Sequence, residues 1–149
     1  MALDMFLEIE GCNPDWNALE NAMISTGVEN FENTMAIKEE NKFLSKHLIK
    51  EVKFRGDFAK SHSLFYVCKS ENSHDIISEG NHNCDFKVQY TIVFRVNNAY
   101  YDEFVKDIHN FLRTLAGLSS MQFVLSFQYE EVRAIRNKVG FEFFWNMPK

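Results

Sequence analysis

Between Asp85 and Leu115 the apolar residues change their spacing from two to between three and four, and that switch leaves few folds open. Phe86, Val88, Tyr90, Ile92, Phe94 and Val96 alternate with Asp85, Lys87, Gln89, Thr91, Val93 and Arg95. Such alternation predicts a half-buried strand with one wet face, the pattern of an antiparallel sheet. Asn97-Asn98 ends it. Tyr101, Phe104, Val105, Ile108, Phe111, Leu112 and Leu115 then line one side of a helix over residues 100–116. Asp102, Glu103, Lys106, Asp107, Asn110 and Arg113 cover its other side, and Gly117 is placed to stop it. A one-faced strand and a one-striped helix each need the other for burial.

The rest of the chain repeats the theme. Leu3, Met5, Leu7 and Ile9 alternate with Asp4, Glu8 and Glu10, Phe6 being the exception, and predict a first strand over 3–11. Asn13 as N-cap, Pro14 at the first helical position and Asp15 near the positive dipole end predict a helix over 14–26. Trp16, Leu19 and Met23 share one face of it, and Gly27 follows as its stop. Met35-Ala36-Ile37 reads as a short strand amid acids. Lys42 to Arg55 carries two periods at once, a short helix giving way to a strand near Lys50. His62 to Lys69 reads as a strand, and Ser70 to Asn83 as a long polar surface loop. Phe123, Leu125, Phe127 and Tyr129 alternate again, and the tail predicts a hairpin turning at Asn137 to Gly140. Residues 1–149 therefore read as a single α+β domain. Its architecture is a mostly antiparallel sheet with two main amphipathic helices packed on one face.

Fifteen phenylalanines supply the core, each aromatic burying roughly 150–250 Å². Cys12, Cys68 and Cys84 are an odd number without a CxxC pair, which fits a reducing compartment better than a disulfide framework. No run approaches the roughly 20 apolar residues of a membrane span, and the acidic opening is unlike a signal peptide. The expectation is a cytoplasmic chain without membrane contact. Charge is unevenly spread. Residues 1–41 hold nine acids against Lys38 alone, although the whole chain is only −5. So acidic a front third opposes tracking of a phosphate backbone and suits a basic partner, whose approach it would steer.

Several groupings could carry chemistry. His74, Asp75, Glu79, His82, Cys84 and Asp85 are all metal-ligand types, but His82-Asn83-Cys84 is tighter than structural zinc spacing, and a solvated loop is the simpler reading. Glu51-x-Lys53 and Asp85-x-Lys87 each put a carboxylate and a lysine on one strand face, as metal-dependent nucleases do, and strand alternation alone produces the same pairs. Cys68 with His62, or Ser61 and Ser63 beside His62, sit on no nucleophile elbow and beside no Gly-rich oxyanion loop. His47 and His109 read as packed or marginal helix residues. These readings disfavour an enzyme and indicate no catalytic residue, metal or cofactor. Lys42, Lys46, Lys50, Lys53, Arg55 and Lys60, with the many aromatics, make a partial case for single-stranded nucleic acid, opposed by the overall acidity.

Residues 1–11, Met-Ala-Leu-Asp-Met-Phe-Leu-Glu-Ile-Glu-Gly, resemble the start of the type VI secretion tube protein, but the two-helix pattern departs from that family's barrel. The closing run from Phe123 through Gln128-Tyr129-Glu130-Glu131 to Phe143-Phe144-Trp145 resembles the last strands of small bacterial immunity proteins. That resemblance implies a stand-alone cytoplasmic inhibitor that neutralises a cognate protein toxin, such as a basic nuclease domain, by direct binding. It transfers no functional residue. The acidic front supplies the candidate contacts Asp15, Glu20, Glu29, Glu32, Glu39 and Glu40, with Glu71, Asp75 and Glu79 of the loop as second choices. The alternatives are a single-stranded nucleic-acid-binding module or a small metal-dependent enzyme. A homodimer formed through the Phe-rich final hairpin stays open under any of them.

Overall fold

The structure, a computed structural model, describes residues 3–35, 53–80 and 82–145. In chain order the elements are β1 (Leu3–Glu10), α1 (Trp16–Thr26), β2 (Val28–Asn33), β3 (Phe54–Phe58), β4 (Leu64–Asp75) and β5 (Lys87–Val96). There follow α2 (Tyr101–Leu118), β6 (Phe123–Phe127), β7 (Glu131–Arg136) and β8 (Phe141–Phe143). All eight strands form one sheet in the order β2-β3-β4-β5-β1-β6-β7-β8. Every neighbouring pair of strands is antiparallel. The fold is α+β, with α1 and α2 packed on each other and on the same sheet face.

Alternation builds the main core as expected. Met5, Leu7 and Ile9 of β1 lie beside Ile92 and Phe94 of β5 and Phe123 and Leu125 of β6. Above them pack Trp16, Leu19 and Met23 from α1 and Phe104, Ile108, Phe111 and Leu115 from α2. Gly56 of β3 is required by a close approach: a Cβ there would stand 3.1 Å from the Glu29 carbonyl oxygen and 3.2 Å from the Phe31 Cα.

Five local expectations need correction. Asp15, not Asn13, caps α1: its Oδ1 accepts from the Ala18 N–H at 3.1 Å, the reach an N-cap requires. Helix α2 runs through Gly117 to Leu118, and the Ser119 N–H closes it on the Leu115 carbonyl. Met35 is helical and buried rather than extended; Ala36 and Ile37, like the helix-or-strand stretch up to residue 52, lie outside the described residues. Strand β4 continues through Asp75, well into the expected loop, because after a break at 70–73 His74 and Asp75 resume pairing with Val88 and Lys87.

The fifth correction concerns the second sheet face. It is not simply wet. Thr91 and Val93 are buried, and Phe86 and Val88 join Val124 and Ile135 in a separate cluster. Phe86 and Val88 reach this face through a bulge at Gln89: Ile9 faces Tyr90, but Glu10 faces Val88, so the β5 alternation changes phase there. Two segments cover this face. The β6–β7 hairpin turns at Gln128 and Tyr129, both at positive φ (51° and 65°), the geometry of a type I′ turn. Left-handed backbone is unfavourable for such residues, and Tyr129 is held by stacking on Phe6 at 4.3 Å. The second cover is residues 76–80, strapped to the sheet by a buried carboxylate described next.

Candidate functional site

Among the nine candidate acids, the sheet edge gathers three. Strand β2 is outermost among the described strands, and it presents Glu29 and Glu32. Glu29 faces Asp57 of β3 and Glu32 faces Arg55. Glu20 joins them from α1, accepting from the Asn33 amide at 3.4 Å, because a short turn at Gly27 folds β2 back alongside the helix. Two cations lie within this group. Arg55 Nη2 stands 3.2 Å and Lys53 Nζ 3.8 Å from the Glu32 carboxylate. The Arg55 hydrogen bond and charge, followed by Lys53, hold the Glu32 carboxyl below its ordinary range. Among the described residues, four carboxylates at this edge stand against two cations.

The other candidates lie elsewhere. Asp15 is exposed but engaged as the α1 cap. Glu71 and Asp75 are on the outer half of β4, where the bound Lys87 ammonium lowers the Asp75 carboxyl. Glu79 is exposed, its backbone N–H bonded to the Tyr129 carbonyl at 2.7 Å. Glu39 and Glu40 lie outside the described residues.

One acid of the front third is interior. Glu8 is 0% exposed. Its carboxylate accepts from the backbone N–H of Ile77 (2.7 Å) and Ser78 (2.9 Å) and from the Ser78 hydroxyl. The Ser126 hydroxyl lies 2.7 Å from that of Ser78. Sequence reasoning placed Glu8 on a wet strand face. The signal that was available is Ile76-Ile77-Ser78, an apolar interruption in a polar loop.

The candidate catalytic groupings are engaged in local contacts, and the Asp85 charge, after the Asp75 hydrogen bond and charge, helps hold the Lys87 ammonium above its ordinary range. Lys53 of the first strand pair is at Glu32, and Glu51 lies outside the described residues; Lys87 is at Asp75, while Asp85 precedes β5. His62 packs edge-on against Tyr100, and His109 against Phe143. Burial, then the Arg113 charge, lowers the His109 imidazole. Ser61 and Ser63 are fully buried, Ser63 accepting from the Asn97 N–H at 3.1 Å. His74 bonds the Asp75 carbonyl and the Ser70 hydroxyl, and His82 accepts from the Cys84 N–H. Among the described residues no three His, Cys, Asp or Glu side chains converge as a metal site. No helix among them is long and apolar enough to cross a membrane.

Cys84 is a testable thiol. Burial pushes it up to about 11, so its thiolate fraction at pH 8 is about a hundredfold below that of a thiol at the ordinary value of 9.0. Alkylation by iodoacetamide, followed by peptide mass spectrometry, is expected to label Cys84 about tenfold more slowly than the same thiol in unfolded protein, because the greater nucleophilicity of a more basic thiolate offsets part of its scarcity. Equal rates in folded and unfolded chains would remove the burial argument.

No known protein family, curated protein or solved structure matches the chain.

Proposed function

We propose that the chain is an immunity-type inhibitor that docks on a basic protein toxin through the β2 edge. The observation supporting this reading is the grouping of Glu20, Glu29, Glu32 and Asp57 along one sheet margin. Acidic side chains at an edge, with a register break between Glu29 and Glu32, discourage strand-to-strand pairing. Recognition there is by side-chain charge. Such complementarity acts mainly on encounter rate and partner choice, and salt screens it. A toxin whose cleft binds nucleic acid offers the matching positive surface.

The test is co-purification from the source cells with the product of the adjacent gene, followed by titration of the isolated pair. The triple variant E20Q/E29Q/E32Q is expected to weaken the complex about ten- to a hundredfold, chiefly through slower association, with the difference shrinking as salt rises. Its urea midpoint should stay close to that of the unaltered chain, because exposed ion pairs contribute little to folding. Absence of a complex at micromolar concentration, or salt-sensitive retention of oligonucleotides instead, contradicts the reading.

A further inference from the structure

A cleft of about 480 Å³ opens between residues 83–85, which lead into β5, and the turn between β7 and β8, on the β8 side of the sheet. Gln122, just before β6, lies in its lining with only 6% of its surface exposed. Glu10 fixes this side chain. One oxygen of the Glu10 carboxylate accepts from the Gln122 backbone N–H at 2.9 Å, and the other accepts from its Nε2 at 3.0 Å. The reverse amide orientation would set Oε1 against a carboxylate, so the partner decides which atom is nitrogen. The Gln122 Oε1 is left as a fixed acceptor. It takes no hydrogen bond among the described residues, and unlike the closed-off Nε atoms of Arg133 and Arg136 it keeps accessible surface. An amide oxygen so held gains from an incoming donor. The Glu10 charge on the nitrogen side of the amide polarises it and strengthens that acceptor.

The rest of the lining specifies the charge of that donor. Asp85 and Glu142 are both exposed at the cleft, and neither forms an ion pair among the described residues. Lys138 is the one cation among the described residues of the lining. Its turn is pinned, because the Asn137 Oδ1 accepts from the N–H groups of Val139 and Gly140 at 2.9 and 3.0 Å. Three carboxylates, counting Glu10 behind Gln122, against one ammonium favour a cation. An open amide oxygen beside two free carboxylates favours a cation rich in N–H donors. A guanidinium meets both demands, with a permanent charge, five donors in one plane and weaker hydration than an ammonium.

We propose that this cleft binds a guanidinium group, which donates to the Gln122 Oε1 and to the carboxylates of Asp85 and Glu142. The volume leaves room for the chain that carries the group. The site is separate from the β2 edge and stands whether or not that edge binds a toxin.

Arginine, citrulline and lysine are the probes, each free and as its N-acetyl methylamide, titrated at constant ionic strength into the full ¹⁵N-labelled chain. The side-chain amide resonances of Gln122 report on the cleft, and those of Gln128, in the β6–β7 turn, are the control. Arginine is expected to shift the Gln122 resonances saturably with a Kd of about 1–10 mM, leaving Gln128 unmoved. Citrulline, its uncharged isostere, should bind at least about tenfold more weakly, and lysine at least about threefold. The double variant D85N/E142Q, altered at two exposed positions, should lose the preference for arginine over citrulline. Lys138→Met should tighten the arginine methylamide by about two- to threefold, a gain that misfolding cannot imitate. Tighter binding of free arginine assigns the group to a small molecule, and tighter binding of the methylamide assigns it to an arginine of a polypeptide. No saturable shift at Gln122 overturns the proposal, as does equal binding of arginine and citrulline, a preference for lysine, or an unchanged arginine affinity in both variants.

Discussion

Glu8→Ala is expected to destabilise the protein by about 3–4 kcal/mol, lowering Tm by on the order of 10 °C. The substitution removes the acceptor for two backbone N–H groups and the Ser78 hydroxyl in a site where Glu8 is 0% exposed. Those donors stay buried while the strap holds, so the chain either leaves them unpaired or releases residues 76–80 to water. Release uncovers Val88, Val124 and Ile135, which are buried behind it. Glu8→Gln is expected to fall between, since a carboxamide keeps the volume but turns its own NH₂ toward one of the donors. Urea denaturation gives the size of the effect. Hydrogen exchange gives its location, with the Ile77 and Ser78 amides accelerating first. Unchanged exchange at those amides would show that the strap is held by other contacts.

A loss of similar size is expected from Phe58→Ala, about 3–5 kcal/mol by urea denaturation. Phe58 is 0% exposed and has ring centroids on four sides: Phe65 at 5.4 Å, Phe94 at 5.8 Å, Phe104 at 6.2 Å and Phe111 at 6.4 Å. It joins β3, β4 and β5 to α2, so truncation leaves a cavity that no single element can close. Phe58→Leu should recover much of the loss. Val139→Ala, at a side chain 95% exposed, should stay within about 0.5 kcal/mol. A Phe58→Ala effect as small as that at Val139 would contradict the packing described for this face.

What the sequence made legible follows from which forces leave a periodic trace. The helix-covered face is apolar throughout, so β1, β5, β6 and both helices could be read from alternation and stripe alone. Strand β2 left no such trace. As an edge strand it sends in little beyond Val28 and Phe31, its other residues are acids and asparagines, and a register break interrupts it. The second face reads as wet in the sequence because its burial is partly polar. Glu8, Ser78 and Ser126 satisfy one another, and a satisfied polar network has the composition of a solvated surface. The Gln89 bulge then hid Phe86 and Val88 in the wrong register.

The candidate contacts divide on similar grounds. Glu20 joins the β2 acids because α1 and β2 are consecutive across Gly27 and the Asn33 amide reaches back to the Glu20 carboxylate. Charge counting could not separate them from Glu8, which serves the interior, or from Glu10, which accepts from the backbone and side chain of Gln122. Sequence gives the number of acids; only the strand order gives the edge on which some of them meet.

Amide hydrogen exchange of the chain alone and with the product of its adjacent gene tests that edge most directly. The account predicts new protection at residues 28–33 of β2 and along the Glu20 side of α1, with the 76–80 strap unchanged. Protection confined to the strap or to the β7–β8 hairpin, with β2 exchanging as in the free chain, would contradict it.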